Sequence, residues 1–301
     1  MSVALPIENR GHFIIGGSSP AGTGELYAYL LQHTEIFLPQ PMTPECHFFT
    51  REERFKKGLG SYFETYFSEA KADQVWGERS SHLISSPKAV TRLKDTIPQV
   101  KLIFLLRSPI GRSFAHYRFT ALSGFETLSF EAALEEENQR MASETAQWKE
   151  IQRYAYLKRS RYASELEVFK ESFDESQLLV LRSEELQHAP KKTLKRVFKF
   201  LNVSDQSETI QAVSSYRSPD AIDLKLQAEL RRQLGSHLDA IIQMIREGQE
   251  PQDELERQVK RNLTWERTRP SQAAMEFLSF RLLPEIKYLE KAYGWDLSHW
   301  K

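Results

Sequence analysis

The chain carries a single cysteine, Cys46, among 301 residues. One thiol excludes an internal disulfide and a cysteine-built zinc site, and it points to a reducing compartment. Neither sign of charge dominates, since 41 Lys and Arg balance 41 Asp and Glu. The basic excess used by general nucleic-acid and membrane-surface binders is missing, so neither partner is expected, although local basic pockets stay open. No apolar run approaches the roughly 20 residues of a membrane span. The segment Met1–Arg10 lacks the pattern of a signal peptide. The expectation is a soluble, cytoplasmic protein. Internal repeats and low-complexity tracts are absent, and the 8 histidines show no metal-ligand spacing, so no metal site is expected. What remains is 40% hydrophobic and 11% aromatic residues, enough for a substantial core. The length fits one domain over 1–301 with helical insertions at about 125–170 and 215–260.

The densest signal is Phe13-Ile14-Ile15-Gly16-Gly17-Ser18-Ser19-Pro20-Ala21-Gly22-Thr23-Gly24-Glu25-Leu26. An apolar strand-like run feeds a loop of small residues, and Leu26, Tyr27, Leu30 and Leu31 then follow helical spacing. Backbone amides and the positive end of a helix dipole at such a junction attract an anion. This is not the nucleotide-triphosphate loop G-x-x-x-x-G-K-[ST]: Gly17 and Gly22 have its separation, but Thr23 and Gly24 stand where Lys and Ser/Thr belong. Further buried strands are expected at Lys101–Leu106 and Gln177–Leu181, with helices opening at Pro109 and Pro190. That alternation predicts an α/β fold, a P-loop-like parallel sheet flanked by helices, with ligands at the carboxyl ends of the strands.

Ser129 to Lys170 reads as helical and charged. Residues 220–260 read as helical, either as an amphipathic pair packed on the sheet or as a cap shaping an acceptor pocket. A last helix near Ser271–Tyr293 should stop at Gly294. After the Lys101–Leu106 run, Arg107 stands at a strand's carboxyl end, where it would enter a ligand crevice, and hydroxyls follow on the next helix. Two anion sites at adjacent loops suggest a nucleotide with two separated phosphates.

At this point the chain resembles the sulfotransferases that use 3′-phosphoadenosine 5′-phosphosulfate (PAPS), in their carbohydrate (heparan-type) and bacterial branch. Phe13–Leu26 resembles their 5′-phosphosulfate loop, and Lys101–Tyr117 their L-R-[DN]-P-x-x-R-x-x-S-x-Y segment. Ile36–Pro39 and Pro44–Phe49 resemble I-F-x-P and K-E-x-H-F-F, and Gly77–Ser80 resembles G-E-K-[ST]. Tyr162–Leu166, Leu178–Leu186, Phe200–Val203 and Tyr293–Trp300 continue the order. The resemblance implies transfer of a sulfuryl group to a hydroxyl or amine, with PAPS as cosubstrate and 3′-phosphoadenosine 5′-phosphate (PAP) as product. Positioning and electrostatic stabilisation would carry most of the rate.

By that resemblance, Ser18, Ser19, Ala21, Gly22, Thr23 and Gly24 form the 5′-phosphate cradle. Arg107 takes the 3′-phosphate, with Ser113 as a stand-in for a family serine that falls at Ala115. Arg112 is left to pair structurally. Glu45 is the general base, and His47 shares or replaces that role. Glu78 and Arg79 face the acceptor. Arg267 and Arg269, in the segment 262–270, would reach the 3′-phosphate or the acceptor.

Four positions depart from the pattern. Pro20 and Pro44 replace the lysines of K-x-G-T-T and K-E-x-H-F-F, Gly24 replaces the second threonine, and Ala115 replaces the serine. Proline offers neither charge nor N–H, so a cation must come from elsewhere, with Lys56, Lys57, Arg79, Lys158 and Arg159 as candidates. The acceptor could be a small molecule, including a natural product, or a glycan, and a homodimer stays open. The competing expectations are a PAP-binding relative without chemistry, serving as sensor or partner subunit, and an ATP-dependent kinase.

Overall fold

The computed structural model describes residues 11–143, 152–213 and 218–301. Two compact units form, one from Met1–Arg107 with Tyr162–Tyr216 and the other from Ser108–Arg161 with Arg217–Lys301.

The first unit is built on a five-stranded parallel sheet. Its strands are β1 (His12–Gly17), β2 (Ile36–Phe37), β3 (Val75–Arg79), β4 (Lys101–Leu106) and β5 (Leu178–Arg182), in the order β2-β3-β1-β4-β5. The three apolar runs read from the sequence are β1, β4 and β5, and the α/β expectation holds. Central β1 is buried along its whole length, as a strand covered on both faces must be. Phe13, Ile15 and Ile103 pack on the helices Thr23–Leu30 and Pro190–Leu201 through Leu26, Leu194 and Phe198. Burying each such side chain contributes roughly 1.5–3 kcal/mol. Pro190 starts its helix as expected. In β3, a Cβ on Gly77 would lie 2.2 Å from the Phe13 ring, so only glycine lets the two strands pack this way.

This order places β1 between strands reached in opposite directions, the switch point where open α/β sheets bind ligands. Register then fixes the neighbours. Ile15 pairs with Arg79 on one side and Ile103 on the other, and Ser80 N–H donates to the Ile15 carbonyl at 3.1 Å. The end of β3 therefore lies beside the loop that leaves β1.

The second unit is mainly helical. Ser108 caps the helix Pro109–Leu122, accepting from Gly111 N–H, and Ile110 on it packs with Phe130, Tyr156, Leu278 and Leu282. The last two belong to the helix Gln272–Tyr293, which ends at Gly294 (φ 64°) as expected. The helical reading of 129–170 needs correction. Helices Phe130–Glu135 and Glu137–Ser143 are followed by a short 3-10 turn at Lys158–Ser160, the helix Tyr162–Lys170 belongs to the first unit, and 144–151 lie outside the described residues. The break has a polar cause. Glu137 accepts from the amides of Leu157 and Lys158 at 2.7 and 2.8 Å, and Arg112 donates to the carbonyls of Ala155 and Tyr156 at 3.2 and 2.8 Å. Backbone groups committed to those side chains are not available to a helix. The expected pair in 220–260 is three helices, Leu224–Leu234, His237–Arg246 and Glu254–Arg261, divided at Gly235 and Gly248. Their apolar residues, including Leu230, Leu238, Ile242 and Val259, close on one another and on Leu122 and Leu263. A two-stranded antiparallel pair, β6 (Asp220–Ala221) and β7 (Leu263–Thr264), completes the unit. No helix among the described residues is long and apolar enough to cross a membrane.

Candidate active site

The loop after β1 leads into a helix whose N-cap, Gly22, has φ 87°, a conformation that costs glycine nothing. No side chain caps this helix. Its first-turn amides, from Thr23 onward, therefore keep the donor capacity and positive dipole end that suit a phosphate. Ser18 corrects one expectation. Its amide donates to the Leu105 carbonyl at 2.6 Å and its hydroxyl to the Tyr162 hydroxyl at 3.1 Å, so it ties the loop to β4 instead of offering an N–H to an anion. Ser19 is half-buried. Ala21 is held by Ser183, whose hydroxyl donates to its carbonyl at 2.6 Å. Arg107, at the end of β4, reaches the same loop, with Nη1 3.5 Å from the Pro20 carbonyl.

The segment after β2 brings in Glu45 and His47. Ser81, just past β3, holds the Glu45 carboxylate with two donors, its amide at 2.7 Å to Oε2 and its hydroxyl at 2.9 Å to Oε1. His47 Nε2 lies 3.3 Å from Oε2, and Arg79 Nη2 lies 3.2 Å from Oε1. Arg54 fixes the backbone from behind, donating to the carbonyls of Glu45 (2.7 Å) and Cys46. Burial pushes the imidazole of His47 down to about 4, with Glu45 acting the other way. Near neutral pH the ring is therefore uncharged, so Nε2 is read as the N–H that donates to Glu45. Through this contact His47 orients the Glu45 carboxylate. Its φ of 45° is a left-handed conformation that costs a non-glycine residue roughly 1–3 kcal/mol and is typical of functional loops.

Arg79 is the hinge of the arrangement. Its guanidinium contacts Glu45, donates weakly to the Met42 carbonyl (3.4 Å) and lies against the first turn of the helix Thr23–Leu30. The Nη1 atom is 2.8 Å from where a Cβ on Gly24 would stand. Arg79 Nε is buried and accepted by nothing among the described residues. A cavity of about 240 Å³ opens beside these groups, lined by Tyr27, Pro39, Met42, Glu45, Tyr66 and Arg79 among others.

Glu78 behaves differently from the expectation that it faces an acceptor. Its side chain is fully buried. Ser80 Oγ donates to Oε1 at 3.1 Å, the Tyr62 hydroxyl and Cys46 thiol lie close by, and Oε2 accepts no hydrogen bond of good geometry among the described residues. Burial raises this carboxyl to about 7. Adjacent strand residues point to opposite faces, so Glu78 and Arg79 cannot both address one ligand.

Three expected binding residues belong to the second unit. Ser113, on the helix Pro109–Leu122, is fully buried and its hydroxyl has no partner among the described residues. Arg267 and Arg269 are exposed in the segment after β7. Arg112 is structural, fully buried, with Nε on Ser160 Oγ at 2.9 Å in addition to its two carbonyls. Of the cations named as substitutes, Lys56 is 73% exposed and pairs with Glu52, Lys57 is exposed, and Lys158 and Arg159 lie in the second unit. Ser81 was missed in the sequence, where a serine after a serine carries no mark of its role.

Residues 13–207 match the model of the sulfotransferase family. The chain belongs to this family. Among curated sulfotransferases it is similar to mouse bifunctional heparan sulfate N-deacetylase/N-sulfotransferase 4, at 27% identity over 67% of this chain and 23% of that protein. It is also similar to mouse heparan sulfate glucosamine 3-O-sulfotransferase 3B1, at 28% identity over 63% of this chain and 45% of that one. The chain thus spans between 23% and 45% of the length of these two relatives. The solved sulfotransferase from Alicyclobacillus acidocaldarius shares the fold, with a TM-score of 0.69 and 21% identity over 97% of this chain and 98% of its own.

Proposed function

We propose that this chain is a PAPS-dependent sulfotransferase acting on a small-molecule or glycan hydroxyl or amine and releasing PAP. The observation that carries the reading is the meeting of an uncapped helix N-terminus with an oriented carboxylate: Arg79 contacts both Gly24's turn and Glu45. PAPS supplies the sulfuryl group. The acceptor's lone pair forms the new bond to sulfur as the bond from sulfur to the 5′-phosphate oxygen breaks, and that oxygen keeps the electron pair. Glu45 takes the acceptor's proton, held in one orientation by Ser81 and His47. The amides of Ala21, Gly22, Thr23 and Gly24 hold the 5′-phosphate, and Arg107 serves the 3′-phosphate. The cavity of about 240 Å³ beside Glu45 suits an acceptor moiety the size of one sugar or phenol ring.

The test is thermal unfolding with PAP, ATP and ADP at equal concentration. A ligand at 100 times its dissociation constant stabilises by about 2.7 kcal/mol. A rise in Tm selective for PAP is expected, followed by transfer of labelled sulfate from PAPS in an acceptor screen. Equal shifts with ATP, or none with PAP, would overturn the assignment.

A further inference from the structure

The phosphate loop has no cation of its own, because Pro20 stands in it where a lysine was expected. Yet charge accumulates on a departing phosphate oxygen, and preorganised cations are the usual means of stabilising it. We propose that Arg79 is the cation of the 5′-phosphate site, and that Gly24 is the space that admits it. The inference rests on the sulfotransferase reading above.

Three observations carry it. First, the parallel register sets Arg79 opposite Ile15, two residues before β1 ends, so a side chain from the end of β3 reaches the loop that β1 feeds. Second, the guanidinium occupies the volume that any side chain at position 24 would need: Nη1 is 2.8 Å from the Cβ site, and Met42 Sδ lies 3.7 Å from it. A side chain at 24 would therefore require the guanidinium to shift from this position. Third, the electrostatics of the position favour an anion beside it. The positive end of the helix Thr23–Leu30 disfavours a cation against its first turn. Glu45 and the Met42 carbonyl offset that cost through Nη2, and the Tyr27 ring lies 6.0 Å from the guanidinium. Nε is buried without an acceptor among the described residues. An anion at the helix N-terminus would be attracted by the dipole and the guanidinium together. Loss of the loop lysine, loss of the threonine and an arginine in place of the lysine of G-E-K-[ST] then form one compensated change, not three independent ones.

The experiment is binding of PAP and of adenosine 3′-phosphate, which lacks the 5′-phosphate, to the intact chain by calorimetry. Wild-type protein should prefer PAP. Arg79→Gln should weaken PAP roughly tenfold to hundredfold while adenosine 3′-phosphate changes by less than about twofold. Arg79→Lys keeps the charge and should retain most of the preference. Gly24→Ala should lose PAP affinity by pushing the guanidinium away, even though alanine favours the helix and should not lower Tm. The double variant Gly24→Ala with Arg79→Gln should be no weaker than Arg79→Gln alone. Glu45→Gln removes a negative charge from beside Arg79 and should leave PAP affinity equal or higher, which excludes an effect relayed through Glu45. Wild-type protein that does not bind PAP would sink the sulfotransferase reading itself. PAP binding that survives Arg79→Gln, or losses from Gly24→Ala and Arg79→Gln that multiply, would overturn this inference and leave that reading standing.

Discussion

Glu78 offers the sharpest test of the buried side of the site. Its carboxyl is sealed beneath β3 with one good donor, Ser80, and burial lifts it from 4.5 to about 7. The folded state therefore binds this proton more tightly than the unfolded chain does. As pH falls through 7 the native protein takes up a proton that the unfolded chain does not hold, and stability rises until about 4.5. Above 7 the carboxylate is ionised in both states, and keeping it buried costs on the order of 3 kcal/mol relative to its neutral form. Glu78→Gln is neutral at every pH and close to isosteric, and Ser80 can still donate to its oxygen. The variant should exceed wild type by roughly 3 kcal/mol at pH 8.5 and match it near pH 4.5, read as urea midpoints at several pH values.

A comparison of the two proteins is needed because three histidines act in the opposite sense. Burial holds His12 at about 3 and His47 at about 4, and it lowers His116 strongly. Each is neutral in the fold, so wild type loses stability as pH falls below the unfolded value near 6.5. Both proteins share that loss, and the difference between them isolates Glu78. A constant difference across pH, or a variant less stable at pH 8.5, would refute the argument. Because the carboxyl is closed off, PAP affinity should also be unchanged in Glu78→Gln.

The other predictions concern single side chains. The His47 ring should show no titration between pH 5.5 and 8 in NMR spectra of the folded protein, since its value lies at about 4; an inflection near 6.5 would show that the ring is solvated. Glu45→Gln should lower sulfate transfer roughly 10²- to 10⁴-fold once an acceptor is found, with kcat falling and PAP affinity kept. Parallel loss of PAP binding would mean that Glu45 shapes the nucleotide site instead. Arg112→Met should destabilise the protein by roughly 3–5 kcal/mol in urea titrations, because two carbonyls and Ser160 lose a buried donor. A cost below about 1 kcal/mol would show that water replaces the guanidinium freely.

Three of the five strands of the main sheet were legible because burial on both faces demands long apolar runs, which β1, β4 and β5 have. The other two were not. β2 is only two residues long, and β3 carries a glycine, a buried glutamate and an arginine in five residues. Each of those three has a tertiary reason: Gly77 makes room for the Phe13 ring, Glu78 is enclosed near Tyr62, and Arg79 reaches the neighbouring loop. No local pattern announces such reasons. The order of short motifs picked out Glu45, His47, Gly22 and Arg79, which the fold brings into one crevice. It could not assign directions. The amide of Ser18 is consumed by Leu105, whereas Arg112 pairs structurally with a carbonyl cage, as its sequence reading left it to do. Glu78 and Arg79, expected to face one acceptor, separate only once β3 is known to be a strand, whose neighbours face opposite ways.

Strand alternation also explains why the charge can move from loop to strand. A lysine in a phosphate loop is positioned by the loop's own backbone. An arginine at the end of β3 is positioned by the ladder to β1, by Gly77 packed on Phe13, and by a carboxylate that Ser81 holds in place. Side chains carried on regular elements are held more tightly than those on loops. The cost is coupling, since the cation that serves the phosphate also touches the proposed base, at 3.2 Å. A phosphate bound at the helix N-terminus would draw the guanidinium away from Glu45 and leave that carboxylate freer to take a proton.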